Sequence, residues 1–237
     1  MMPVLHENHR RLAAAAGLLY LIIIVCGMSA EVLIRGPLLD AADAAVSARN
    51  IVAQEALFRT GLLLDVLMLF ADVALAVLLY YLLRPVNRTL SLLAAVFRLL
   101  QTAVLAFNLL HYHAALLVLN SAALLQVFSA EQSHALAFLL LDLHRHGYDL
   151  GLLFFAVSNL LLGMLLIRAV WIPALLGYGL LLAALVYLAG GLARFLLPAL
   201  LPLLEPAYLL PLLAETAFCL WLLRQACPLH AQRAPAG

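Results

Sequence analysis

The sequence predicts an all-α fold: a polytopic transmembrane helix bundle of six spans plus short interfacial helices, with the N- and C-termini inside. Three observations carry this. The 237 residues are 67% hydrophobic and 11% charged, where soluble domains hold roughly 45–50% and about 25%. The mean hydropathy is +1.11. Apolar stretches near the ~20 residues that cross a bilayer recur along the chain. A water-soluble fold of this size could not hide so much apolar surface, so lipid is the expected solvent and the bilayer the expected partner. The expected location is the cell membrane, the inner membrane of a bacterium. Residues 1–226 read as a single integral-membrane domain, and 227–237 as a disordered tail.

The first span is expected over residues 12–33, because residues 12–30 carry no charge and follow His9, Arg10 and Arg11. A signal peptide is the competing reading, but its apolar region would run only ~7–15 residues. Residues 40–55 place Ala41, Ala44, Ala45, Ala48, Ile51 and Val52 at helical spacing, which fits either an amphipathic helix at the outer interface or a solvated loop. The second span, 57–83, holds Arg59, Asp65 and Asp72 and ends at Arg84-Pro85-Val86-Asn87-Arg88, where Pro85 cannot continue the helical hydrogen bonds. The third, 90–119, carries Arg98, Gln101, Asn108, His111 and His113. Ser129 and Gln132 read as a capping box. The helical pattern that follows, 130–167, is nearly twice too long for one crossing at ~1.5 Å per residue. A break near Gly147 is therefore expected, leaving an outer helix over 131–145 and a fourth span over 148–168. The fifth span is placed at 173–197 and the sixth at 208–223, with a proline-rich connection between them.

All 13 basic residues are arginine. With the N-terminus inside, seven arginines fall on inner segments and five on outer ones, and the short inner loops 84–89 and 168–172 are both basic, as orientation rules require. A net charge of +1 offers nothing to nucleic acid. Cys26, Cys219 and Cys227 lack metal or redox spacing.

An ionisable group inside a bilayer costs at least ~2.5–3.5 kcal/mol, so such groups normally face the bundle interior and pair. Asp65 and Asp72 are seven residues apart, on one face of the second span. Arg98, Gln101, Leu105, Asn108 and Tyr112 form one stripe of the third, flanked by His111. The tight turn makes these helices antiparallel neighbours, which places Asp72 within reach of Arg98 and Asp65 near Asn108 and His111. With Glu215 of the sixth span they compose a candidate polar core. Two readings stay open: a buried ion pair that fixes helix register, or a proton or ion relay. Arg59, Asp142, His144, Tyr148 and Asp149 compose a candidate outer vestibule, where a small-molecule ligand could sit. His111, Asp142 and His144 are the candidate metal ligands, since His and carboxylate suit Zn²⁺ or Fe²⁺. No H-E-x-x-H spacing supports them, and no cofactor is named. Glu31, Arg35 and Arg59 read as interfacial groups that snorkel to water, and Arg59 or His111 as partners for Glu215. Gly147 and Gly151 form a small-xxx-small pair. No phosphate loop, nucleophile elbow or haem motif occurs.

The stretches RLAAAAGLLYLIIIV, LFRTGLLLDVLMLFADVALAVLLYYLLRPVNRTLSLLAAVFRLLQ, LLLDLHRHGYDLGLLFF and AETAFCLWLL resemble the bacterial membrane family known as domain of unknown function 4386, over about residues 11 to 225. The resemblance takes in Asp65, Asp72, Arg84, Pro85, Asn87, Arg98, Asp142, His144 and Glu215. It implies a multi-pass membrane protein and brings no activity with it. Three functions remain: a structural, accessory or signalling membrane component whose polar core specifies packing; a transporter of a small solute or proton working through Asp65, Asp72, Arg98 and Glu215; and an intramembrane metal-dependent enzyme using His111, Asp142 and His144.

Overall fold

Several charged and amide side chains lie inside this protein, and many leucines and some phenylalanines lie outside. Asp65, Asp72, Arg98 and Asn108 are each no more than 4% exposed, while Phe70 and Phe107 are 70% and 67% exposed. That inversion is the signature of a chain whose solvent is lipid. The structure, a computed structural model, describes residues 7–40 and 42–225. Six helical segments are long and apolar enough to cross a membrane, and no strand occurs among the described residues. The chain is a multi-pass α-helical membrane protein.

Helix α1, Glu7–Met28, continues without a break as a π-helix, Ser29–Arg35, and one more turn, Gly36–Leu38. Residues 44–53 form a helix rather than a loop: α2, Ala44–Ala53, starts where the Asp43 carboxylate accepts hydrogen bonds from the backbone N–H groups of Ala45 and Val46. Helix α3 spans Glu55–Leu83. After the Pro85 turn, Asn87 Oδ1 accepts from the backbone N–H of Leu90 at 2.9 Å and starts α4, Arg88–Asn120. Ser121 caps the short α5, Ala122–Val127. The capping box is formed reciprocally: Gln132 N–H donates to Ser129 Oγ at 3.2 Å, and Ser129 N–H donates to Gln132 Oε1 at 2.9 Å.

Helix α6 then runs unbroken over Ala130–Arg168, 39 residues. The break expected at Gly147 is absent. The missing Cβ serves close packing, because a side chain there would run into the Asn108 amide. Helix α7, Ala174–Leu196, begins after Pro173. The proline-rich connection coils into three single turns, Pro198–Leu200, Leu201–Leu204 and Glu205–Tyr208, that lead into α8, Leu209–Arg224. The sixth apolar segment therefore starts near Pro198, earlier than its sequence pattern implies. Cys227, Arg233 and the expected tail lie outside the described residues.

The contacts divide the chain into two compact units. The first comprises the described residues of 1–22, 71–101 and 152–237, and the second those of 23–70 and 102–151. In the first, small residues let backbones touch: a Cβ on Gly163 would lie 2.8 Å from the carbonyl oxygen of Gly177, which pins α6 against α7. Ser158 Oγ of α6 donates to the Ala94 carbonyl of α4 at 2.8 Å, and Ser91 Oγ of α4 donates to the Tyr80 carbonyl of α3 at 3.1 Å. In the second, Ile34, Leu38, Ala48, Ile51, Phe58, Tyr112 and Leu116 build the core, so α2 is held by its apolar face. Phe58 of α3 and Tyr112 of α4 stack with centroids 4.0 Å apart.

Candidate functional site

Among the described residues, each unit contains a buried arginine–aspartate pair. In the first, the heptad positions of α3 and α4 bring Asp72 and Arg98 together. Arg98 Nε donates to Asp72 Oδ1 at 2.7 Å, and Nη2 meets the same oxygen at 2.5 Å. The guanidinium lies between two rings, its Cζ 5.3 Å from the Tyr20 centroid and 5.0 Å from that of Phe155. Arg98 is thus matched by the charge of Asp72 and by the π-electrons of two rings. Nearby, Glu215 of α8 accepts hydrogen bonds at Oε1 from Tyr187 Oη at 2.9 Å and Asn159 Nδ2 at 3.1 Å. A cavity of about 10 Å³ borders Arg98, Ser91 and Ser158, room for about one water molecule.

In the second unit, Asp65 pairs with Arg35. Arg35 Nη1 donates to Asp65 Oδ2 at 2.6 Å, and its Nε donates to Glu31 Oε2 at 2.7 Å. The Tyr112 ring lies 5.8 Å from the guanidinium. Asn108 Nδ2 donates to the His144 carbonyl at 2.7 Å, and His144 Nδ1 lies 3.2 Å from the Asn108 carbonyl. His111 Nδ1 lies 3.2 Å from Asn108 Oδ1. Asn108 is therefore the hub that joins two histidines. A second cavity of about 10 Å³ borders Asp65, Asn108, His144 and Tyr148.

Several side chains lie elsewhere than the sequence places them. Arg35 is buried, 7% exposed, instead of snorkelling. Its neighbourhood is in π geometry, which buries Ala30, Ile34 and Arg35 together, and the wider π turn shifts the helix phase that an α-helical count assumes. The unmatched Asp65 was the sequence signal that a cation must be near. Arg59 is exposed and pairs with Glu55 at 2.6 Å, and the Asn120 amide also donates to Glu55. The partners of Glu215 are Tyr187 and Asn159, which the sequence reading passes over because neutral residues raise no alarm in an apolar run. Gln101 is buried, and its Oε1 has no hydrogen-bond partner. Asp149 is buried. Asp142 lies half-exposed beside His146, with His146 Nδ1 2.9 Å from the Asp142 carbonyl and 3.7 Å from its carboxylate.

As for a metal, no three His, Cys, Asp or Glu side chains converge among the described residues. The His111 and His144 rings address Asn108, while Asp142 addresses His146. The donor set does not form a ligand cage.

A family model described as domain of unknown function (DUF4386) matches residues 15–225. An uncharacterized protein of Archaeoglobus fulgidus is 29% identical over 129 residues, 54% of this chain and 64% of its own length. The chain thus spans a little under two thirds of that relative. No solved structure matches.

Proposed function

The chain belongs to the DUF4386 family, and from that premise we propose that it is a structural or accessory integral protein of the cell membrane, whose buried polar groups specify packing rather than carry cargo. The observation that supports this most is the Arg98 site. A relay residue needs a mobile proton or an open approach. Arg98 instead has its charge matched by Asp72 and lies over the rings of Tyr20 and Phe155, beside a cavity that admits about one water. The Arg35–Asp65 pair, likewise buried, supports the same reading.

A charge swap is a poor test, because it would place a carboxylate between two aromatic faces, whose π-electrons repel it. Neutralising both partners is better. A buried pair often tolerates replacement by apolar groups of similar volume, whereas losing one partner costs about 3–5 kcal/mol. Asp72→Leu and Arg98→Met should each lower the melting midpoint in detergent, and the double variant should recover most of the loss. A double variant that melts as low as the singles would sink the packing role. So would liposomes of the wild type that pass protons or solute while those of the folded double variant do not.

A further inference from the structure

A charge inside a bilayer protein persists when an opposite charge sits beside it. In the first unit Arg98 has Asp72. Glu215 has no such partner: no described cation lies within ion-pair distance of it. Its neighbours are two neutral donors, the Tyr187 hydroxyl and the Asn159 amide, and both donate to Oε1. Oε2 accepts no hydrogen bond from a described residue. Asn159 is fully buried, 0% exposed, and its Oδ1 also accepts none.

These facts fit together chemically. A carboxamide that donates N–H to one oxygen of a carboxyl group has a carbonyl oxygen able to accept from the other, but only if that other oxygen carries a hydrogen. As a carboxylate, Glu215 leaves Asn159 Oδ1 an unpaired buried acceptor, which costs about 1–3 kcal/mol of desolvation. One proton on Oε2 would supply the donor that this acceptor lacks. We propose that Glu215 and Asn159 form a proton-binding site, in which a proton from the aqueous phase adds to Oε2 and the neutral acid donates it to Asn159 Oδ1. The charge sum agrees. With Arg98 matched by Asp72, the neutral acid leaves this cluster uncharged, and the carboxylate leaves one negative charge over. The ionisable groups within electrostatic reach of Glu215 are Arg98 of α4, Asp72 of α3, Tyr20 of α1 and Tyr187 of α7. Arg98 is the cation among them, and Asp72 holds it. The packing role of the Asp72–Arg98 pair is a separate matter, tested on different residues.

Infrared difference spectra of the full chain in detergent, recorded across a pH titration, test the site. The wild type should show a protonated-carboxyl band that comes and goes as the site titrates. Glu215→Gln should lose it, and Asn159→Leu should change its frequency, which reports the hydrogen bond to the carboxyl group. The absence of such a band in the wild type, or its survival in Glu215→Gln, overturns the proposal. Melting gives a second reading. Proton uptake by the folded site makes stability depend on pH. Glutamine supplies the same N–H and C=O to Asn159, so Glu215→Gln should match the wild type at low pH and lose that dependence. A variant that melts far below the wild type at low pH counts against the site. Recovery of the wild-type midpoint at high pH on adding Na⁺, absent in Glu215→Gln, would assign a metal cation and overturn the proton.

Discussion

At Arg98 the geometry separates charge from shape. Two nitrogens reach one carboxylate oxygen of Asp72, and the guanidinium carbon lies over the rings of Tyr20 and Phe155. Lysine keeps the charge and loses both the second donor and the planar guanidinium. Arg98→Lys should therefore cost about 1–3 kcal/mol, seen as a lower melting midpoint in detergent. A midpoint equal to the wild type would show that charge alone matters there. That Asp72 meets Arg98 was legible in the sequence, because a tight turn and two heptad stripes leave few other arrangements. That Asp65 meets Arg35 was not legible, because the phase of the partner's helix is set by a π turn that an α-helical count does not anticipate.

At the scale of the element, the end signals in the sequence correspond to observed helix ends. Ser129 with Gln132 and the Pro85 turn act through the backbone groups beside them, and such local chemistry is present whatever the tertiary fold. Gly147 shows the opposite case. Read locally, a glycine in an over-long helical pattern marks a break. In the structure it is the place where α6 lets Asn108 come close. Alanine is favoured over glycine in a helix by about 1 kcal/mol, so propensity alone predicts that Gly147→Ala stabilises. The added methyl would instead strike an amide held by His144 and His111. Overpacking of that kind costs typically about 1–3 kcal/mol, to which the displaced hydrogen bonds add. The contact should win, and Gly147→Ala should melt lower; a higher midpoint would show that Asn108 yields freely.

At the scale of the whole molecule, arginine placement sets the expected orientation. Segments 84–88 and 168–172 are basic and should face the cytoplasm. Single cysteines introduced into residues 84–88 should react with a membrane-impermeant maleimide only after lysis, and those in residues 121–129 in intact cells. The reverse pattern would invert the topology. The sequence by itself determined the solvent and the class of fold, because hydrophobic content and the spacing of apolar runs are summed along the chain and need no knowledge of contacts. It also marked Asp65, Asp72 and Arg98 for burial, since a charge within an apolar run has nowhere else to go, but it left Arg35 at the interface, where the structure buries it. Only the tertiary structure decided who partners whom: Arg35 with Asp65, Asn108 with two histidines, and Glu215 with an amide and a phenol. Pairing depends on helix phase and on which helices are neighbours, and both are fixed by packing between residues far apart in the chain.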